Sequence, residues 1–189
     1  MPFTFEEHPV IKDLYTITPH LFTDFRGDYK KTYEKNVYAE QGFMQEFTET
    51  SEIVSNRGVF RGLHFQTKDS QAKLVHVIKG RIFDVAVDLR TESKTFGQWA
   101  YFLLTGEDNQ VVLIPEGFAH GFLALEDNTI FTYQCSGVYR PEYCGGIRWD
   151  DEDLDINWPL DEVDHIIMSE KDKHNISIRE YQKLFQKQN

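Results

Sequence analysis

The chain has 189 residues, of which 31 are acidic and 20 basic, so its net charge at pH 7 is −11. This balance argues against binding to nucleic acid, which depends on neutralising phosphates with lysine and arginine. The hydrophobic share of 40% and the charged share of 27% are typical of one globular domain. No stretch approaches the roughly 18 uninterrupted apolar residues that would cross a membrane.

The cysteines and the N-terminal residues indicate the compartment. Cys135 and Cys144 are too few for the disulfide framework of a small secreted domain. Residues 1–7 lack the basic segment followed by an apolar one that makes a signal peptide. We therefore expect a cytoplasmic protein with reduced thiols.

From Val10 to about Trp149 the chain consists of short β-rich runs separated by Gly, Asn and Asp turns. This spacing is typical of a sandwich or barrel of antiparallel strands, and the aromatic share of 14% favours a cavity lined with rings. Lys79-Gly80 predicts a hairpin turn between the first two of the clearest strands. These strands are predicted at residues 74–78, 81–89, 99–104, 110–114, 121–125 and 129–135.

The predicted strand 81–89 has two different faces. One is expected to enter the core and carries Phe83, Val85, Val87 and Leu89. The other carries Ile82, Asp84, Ala86 and Asp88. On this mixed face Asp84 points either into a pocket or into water, and the sequence leaves both alternatives open.

A short helix is predicted near the C-terminus, within a tail that spans residues 173–189. Ser177-Ile-Arg-Glu180 has the pattern of a capping box. Apolar residues then recur at helical spacing, at Ile178, Tyr181, Leu184 and Phe185. We expect this amphipathic helix to pack on the domain.

Cationic and proton-transferring side chains are concentrated in residues 57–66, which read RGVFRGLHFQ, and recur at Lys73 and His120. Such groups are costly to hold against apolar strands, so their grouping indicates chemistry. Two histidines alone make a poor divalent site, and a nearby ammonium group would oppose a metal ion directly. We therefore predict a site that uses no metal and no other cofactor.

A neutral histidine beside cations is suited to act as a general base. Lys73 would hold developing oxyanion charge, a contribution of about 3–4 kcal/mol per donor. Tyr133, on a predicted strand, would return the proton. Taken singly, each of these residues more often packs or lies at the surface. The combination of Arg61, His64, Lys73 and His120 nevertheless indicates proton abstraction α to a carbonyl.

Residues 62–66, Gly-Leu-His-Phe-Gln, and residues 115–120, Pro-Glu-Gly-Phe-Ala-His, resemble the two halves of the cupin signature. Gln66 stands where metal-binding cupins have a second histidine. From about Val10 to Asp172 the chain more specifically resembles the dTDP-4-dehydrorhamnose 3,5-epimerases, a metal-independent cupin family. The matching segments are residues 24–27, 58–66, 72–75, 83–90, 96–99, 114–122, 139, 149–151, 158–159 and 169–172.

The resemblance implies a mainly β fold: a single cupin-type jelly-roll β-sandwich or barrel over residues 1–189, with a few short helices including a C-terminal one. It also implies a homodimer that exchanges its N-terminal strands, about residues 10–50, so that each nucleotide pocket borrows residues from its partner. The implied substrate is a small nucleotide sugar, a dTDP-4-keto-6-deoxyhexose. Neither nucleic acid nor a membrane is implied as a partner.

The resemblance also implies a role for each matching residue. His64 would remove the protons at C3 and C5 with Asp172 as its orienting carboxylate, Lys73 would stabilise the C4 enolate, and Tyr133 would reprotonate from the other face. The residues implied to bind substrate are Arg26, Lys31, Glu49, Arg61, Gln66, His120 and Tyr139. Three alternatives stay open: epimerisation at C3 or C5 alone, a non-catalytic cupin that binds sugar nucleotides, and a metal-dependent cupin isomerase or oxygenase.

Three positions depart from the family's pattern. Lys31 stands where many members have a glutamate that reads thymine, and Cys144 where a glutamate is frequent. Glu49 stands where a glutamine is common, unless an insertion places Gln45 there. Lys31 and Glu49 either exchange roles as a charge pair and still recognise thymine, which we favour, or they indicate that the substrate carries another nucleobase.

Overall fold

The computed structural model describes residues 2–185, in which β-strands predominate. The strands are β1 Phe3–Glu7, β2 Tyr15–Pro19, β3 Leu21–Asp24, β4 Gly27–Lys30, β5 Phe47–Ser55, β6 Phe60–Gln66, β7 Lys73–Lys79, β8 Arg81–Asp88, β9 Trp99–Thr105, β10 Val111–Ile114, β11 Phe118–Ala124, β12 Thr129–Ser136 and β13 Cys144–Gly146. The α-helices are α1 Lys35–Glu40 and α2 Ile178–Phe185. Short 3-10 helices lie at Pro141–Tyr143, Leu160–Glu162 and Asp172–His174.

Two antiparallel sheets enclose the central core. One has the strand order β1-β2-β10-β7-β12-β5, and the other has the order β13-β6-β11-β8-β9. Val75 and Phe131 of the first sheet pack in one buried cluster with Ile82, Ala86 and Phe122 of the second. The predicted mainly β sandwich is therefore confirmed.

The hairpin predicted at Lys79-Gly80 is wrong. β7 pairs with β10 and β12, whereas β8 pairs with β9 and β11, so the two strands lie in different sheets. Gly80 has a φ of +82°, and a Cβ at this position would overlap the side chain of Thr129. The turn signal marks a chain reversal correctly, but the reversal connects the sheets instead of pairing neighbouring strands.

Both faces of β8 are buried. Phe83 and Val85 face a second apolar cluster, in which Leu154 and Trp158 of the C-terminal segment cover the outside of the five-stranded sheet. Asp84, on the opposite face, is 0% exposed. The alternative that places Asp84 in water is therefore wrong.

The C-terminal segment ends in the predicted amphipathic helix. The Ser177 backbone N–H donates to Glu180 Oε2 at 2.8 Å, and the Glu180 N–H donates to Ser177 Oγ at 3.2 Å, which confirms the capping box. Tyr181 packs edge-on against Phe65, so the helix is held on the five-stranded sheet. The predicted tail extends beyond this helix to residues that lie outside the described range.

Residues 21–30 form an arm beside the sandwich. β3 and β4 pair only with each other, in a separate two-stranded sheet. The arm presents aromatic side chains to solvent, and Phe25 at its tip is 97% exposed. Among residues 2–185, no helix is long and apolar enough to cross a membrane.

Candidate active site

A cavity of about 610 Å³ lies between the two sheets, with walls contributed by both. Nine of the eleven predicted site residues line it: Glu49, Arg61, His64, Gln66, Lys73, His120, Tyr133, Tyr139 and Asp172. Arg26 and Lys31 do not line this cavity. The structure thus brings together the predicted catalytic residues and most of the predicted binding residues.

His64 and Asp172 form a hydrogen-bonded dyad, with His64 Nε2 and Asp172 Oδ1 2.6 Å apart. Asp172 is buried, whereas the His64 side chain is partly exposed to the cavity. Burial alone would raise the pKa of Asp172, but hydrogen bonds from His64 and Ser169 outweigh it and hold that pKa below its ordinary value. The carboxylate is therefore charged at neutral pH and can accept the Nε2 hydrogen.

An irregularity at Gly62 directs two functional side chains into the cavity. Simple alternation along β6 would place Arg61 and His64, three residues apart, on opposite faces. The pairing of β6 with β11 shifts register here, and both side chains line the cavity. A Cβ at Gly62 would lie 2.5 Å from the Gly121 Cα, so the close approach of the two strands requires glycine.

The loop that carries Asp172 is tied directly to this irregularity. Asn175 Nδ2 donates to the carbonyl oxygen of Gly62 at 3.0 Å. The Asp172 backbone N–H donates to Ser169 Oγ at 3.1 Å. These bonds hold the 3-10 helix Asp172–His174 against β6, and so fix the carboxylate beside His64.

The six-stranded sheet contributes the opposite wall, with Lys73 on β7 and Tyr133 on β12. Lys73 Nζ lies 5.7 Å from the centre of the Tyr133 ring. Burial lowers the pKa of Lys73, an effect opposed by neighbouring acidic groups. Burial raises the pKa of Tyr133, and the nearby Ser51 side chain only partly offsets this effect. The phenol is therefore protonated and can act as an acid.

A second histidine–carboxylate pair lies behind the dyad. His120 is the cross-strand partner of His64, and its Nε2 lies 2.7 Å from Asp84 Oδ1. Burial lowers the pKa of His120, and the negative charge of Asp84 partly opposes this effect. The sequence left Asp84 between a pocket and water and assigned it no role. The sequence feature that could have identified Asp84 is its position on the mixed face of β8. The structure shows that the neighbouring residues on this face pack against the other sheet.

Gln66 braces the loop that carries Tyr139. Its amide nitrogen donates to the carbonyl oxygens of Asp69 at 2.7 Å and Val138 at 3.4 Å. Its amide oxygen accepts the Arg140 backbone N–H at 2.7 Å. Since both ends of the amide are engaged with backbone groups, Gln66 shapes the cavity wall.

Glu49 also holds this loop, because Glu49 Oε1 accepts the Tyr139 backbone N–H at 3.2 Å. The Cys144 side chain beside the Tyr139 hydroxyl raises the pKa of Tyr139. Arg61, at the same entrance, is exposed. Gln45, the alternative to Glu49, lines a separate cavity of about 380 Å³.

Arg26 and Lys31 lie on and next to the arm. Arg26 forms an ion pair with Asp24 at 2.6 Å, and Lys31 forms one with Glu34 at the same distance. Within the chain Lys31 is thus paired with Glu34 and not with Glu49.

The side chains of residues 2–185 include no group of three or more His, Cys, Asp or Glu placed to hold a metal ion. Each pocket histidine is instead bonded to its own carboxylate, His64 to Asp172 and His120 to Asp84. Cys135 and Cys144 are both free thiols.

Two solved structures with the same fold contain a nucleotide sugar or a nucleotide. A dTDP-6-deoxy-D-glucose-3,5-epimerase from Legionella pneumophila, in complex with dTDP-4-keto-L-rhamnose, aligns with a TM-score of 0.89 and 37% identity, covering 94% of this chain and 93% of that chain. A dTDP-4-dehydrorhamnose 3,5-epimerase from Bacillus anthracis, with TDP and PPi bound, has a TM-score of 0.87 and 36% identity, covering 93% and 99% of the two chains.

Sequence comparison agrees with the structural comparison. The dTDP-4-dehydrorhamnose 3,5-epimerase of Methanothermobacter thermautotrophicus is 50% identical over 164 residues, which cover 87% of this chain and 89% of that protein. The sequence profile of the dTDP-4-dehydrorhamnose 3,5-epimerases matches residues 8–180. The chain therefore belongs to the dTDP-4-dehydrorhamnose 3,5-epimerase family of isomerases.

Proposed function

We propose that this protein epimerises C3 and C5 of a dTDP-4-keto-6-deoxyhexose, converting dTDP-4-dehydro-6-deoxyglucose to dTDP-4-dehydro-L-rhamnose. The main support is the position of the His64–Asp172 dyad at the five-stranded sheet, across the cavity from Lys73 and Tyr133 on the six-stranded sheet. An epimerisation needs a base and an acid on opposite faces of the sugar ring. Family membership supports the same reaction.

His64 is the base in this proposal. The hydrogens on C3 and C5 are acidic because both carbons adjoin the C4 carbonyl. Since His64 Nε2 donates to Asp172, the ring nitrogen left to take the proton is Nδ1. The charged Asp172 stabilises the imidazolium that forms, and such general base catalysis typically contributes about 10²- to 10⁴-fold in rate.

Lys73 stabilises the enolate. When the C–H bond breaks, its electron pair moves toward the C4 oxygen, which gains negative charge. An ammonium group in a partly desolvated site stabilises that charge more strongly than water does, and one such donor contributes about 10²- to 10³-fold.

Tyr133 completes the inversion by protonating the carbon from the opposite face. The raised pKa of its phenol keeps the proton in place until the enolate forms. His64 then loses its proton to solvent and Tyr133 regains one, which restores both groups. The same set serves C3 and C5 because the sugar ring reorients between the two steps.

The nucleotide end of the substrate binds at the cavity entrance. Arg61 and Tyr139 supply a cation and a hydroxyl for the diphosphate. We assign Arg26 and Lys31 to the pocket of a second subunit in a homodimer. This assignment is supported by the arm itself, whose exposed Phe25 and separate two-stranded sheet lie outside the sandwich of their own chain. Cytoplasmic location stays a prediction.

The reaction is tested by incubating the protein with dTDP-4-keto-6-deoxyglucose in deuterated water and locating deuterium by NMR. We expect deuterium at both C3 and C5. UDP- and GDP-linked substrates, run in parallel, show which nucleobase the protein prefers. Exchange at one carbon would show a mono-epimerase. Binding without any exchange would overturn the proposal in favour of a non-catalytic protein.

A further inference from the structure

Asp84 is a buried carboxylate that the proposed reaction does not use. It is 0% exposed and lies in the middle of β8. Its Oδ1 bonds to His120, but its Oδ2 is buried without a hydrogen-bond partner among the described residues. A desolvated, half-satisfied carboxylate is costly, so its presence calls for a compensating charge.

The compensating charge available in the same space is Lys73. Ile82 and Ala86, which flank Asp84 on its face of β8, pack in one cluster with Val75 and Val77, which follow Lys73 on its face of β7. Both side chains therefore point between the two sheets. Burial lowers the pKa of Lys73, and the negative charge of Asp84 is one of the neighbouring effects that oppose this and favour the protonated ammonium. Among residues 2–185, Lys73 has no carboxylate within ion-pair distance.

We propose that Asp84 is a positioning residue, which holds His120 in one orientation through Oδ1 and keeps the Lys73 ammonium charged through the field of the unpartnered Oδ2. The carboxylate touches neither the cavity nor the substrate, and acts through these two neighbours. Its bond to His120 Nε2 leaves His120 Nδ1 as the nitrogen available to a ligand.

Other ionisable groups also surround Lys73. They are Glu49 on β5, Arg61 and His64 on β6, His120 on β11, Tyr133 and Cys135 on β12, Cys144 on β13, and Tyr139, Lys171 and Asp172 from the connecting segments. The thiols and the phenols are neutral in their ordinary state at neutral pH. Glu49 is exposed at the entrance, where solvent screens its charge. Asp172 is buried as well, but its carboxylate is hydrogen-bonded to His64. Among the described residues of this set, Asp84 is thus the buried carboxylate that keeps an oxygen without a hydrogen-bond partner.

The inference rests on the proposed function only for the task of Lys73 in holding the enolate, so its first test does not use activity. Protein labelled with ¹³C at lysine Cε is titrated by NMR, with the Lys73 signal assigned by its loss in Lys73→Met. In Asp84→Asn we expect the Lys73 titration to move to lower pH. The surface variant Asp150→Asn should leave it unchanged. A Lys73 titration that does not move in Asp84→Asn would overturn the proposal.

A double-mutant cycle on thermal unfolding tests the same pairing in the absence of substrate. Asp84→Asn should lower the unfolding midpoint when Lys73 is present, because it leaves a buried cation uncompensated. In Lys73→Met the same substitution should raise the midpoint, because there the carboxylate is the uncompensated charge. Equal changes in both backgrounds would refute the pairing. If Asp84→Asn alone does not fold, the double variant with Lys73→Met decides. A folded double variant supports the pairing of Asp84 with Lys73, and an unfolded double variant contradicts it.

Activity then separates this inference from the proposed function. In Asp84→Asn, the alkaline limb of the kcat profile should move to lower pH with little change in KM. A shifted Lys73 titration without deuterium exchange in the wild-type protein would reject the epimerase reaction and leave the pairing intact. If the wild-type protein exchanges deuterium but the Lys73 titration is the same in Asp84→Asn as in wild type, the epimerase reaction stands and the pairing is rejected.

Discussion

His64 and Asp172 lie 108 residues apart in the chain, yet His64 Nε2 and Asp172 Oδ1 are 2.6 Å apart at the wall of the cavity. The contact depends on the C-terminal segment, which packs across the outside of the five-stranded sheet and returns to β6 through Asn175. The His64–Asp172 pair is therefore assembled only when the last part of the domain docks.

We expect His64→Ala to lose at least about 10²-fold in the rate of deuterium exchange at C3 and C5, because the proton acceptor is removed. Asp172→Asn should lose a comparable factor, since the amide cannot stabilise an imidazolium. Exchange is measured by NMR with saturating substrate. The exposed histidine variant His20→Ala serves as control and should behave like wild type. Near wild-type exchange in His64→Ala would show that the base is another residue.

Tyr133→Phe separates proton removal from inversion. The phenyl ring keeps the packing of the side chain, but the acid on the second face is lost. We expect solvent deuterium to enter the unreacted sugar from the His64 side, while epimerised product forms about 10²-fold more slowly. Both quantities are read from one NMR time course, with Tyr101→Phe at an exposed tyrosine as the matched control. Unchanged product formation would assign the acid role elsewhere.

The free energy of unfolding at acidic pH should depend on the hydrogen bond between His64 and Asp172. The pKa of Asp172 is lowered in the folded protein from an ordinary value of 3.8. Its contribution to stability is therefore complete above that value and is lost as the pH falls through the lower, folded value. The free energy of unfolding of Asp172→Asn should decline less steeply below pH 4 than that of wild type, as measured by urea titration. Parallel declines would argue against a lowered pKa.

Gln66→Ala should affect binding more than chemistry. It removes the bonds from one amide to the backbone of Asp69, Val138 and Arg140, each worth about 1 kcal/mol. The loop with Tyr139 should loosen, so that KM rises while kcat changes little. Steady-state kinetics check this split, with Glu142→Gln on the same loop as a control. A fall in kcat at constant KM would instead place Gln66 in the chemical step.

Mixed dimers test the exchange of the N-terminal arm. Arg26→Ala and His64→Ala chains are each expected to be defective alone. When they are co-refolded, one pocket of each mixed dimer should combine an intact His64 with an intact Arg26 from the other chain, and activity should return. If the arm serves its own subunit, no pocket contains both residues and activity stays low. Size-exclusion chromatography with light scattering verifies the dimer.

Much of the fold could be predicted because alternation and turn residues are local. Strands β7 to β12 lie where the pattern of apolar residues placed them, and the capping box at Ser177 begins the C-terminal helix. The partner of each strand is not local information, which is why the residues at Gly80 predict a hairpin although the turn joins two sheets.

The sequence by itself determined which chemical groups are available to this protein: His64 as a candidate base, Lys73 as a candidate cation and Tyr133 as a candidate acid. Only the tertiary structure decided which groups meet. The register shift at Gly62 directs Arg61 and His64 into one cavity, and cross-sheet packing buries Asp84 on the same side as Lys73. Such contacts depend on pairing between distant strands, and residue spacing along a chain carries no record of that pairing.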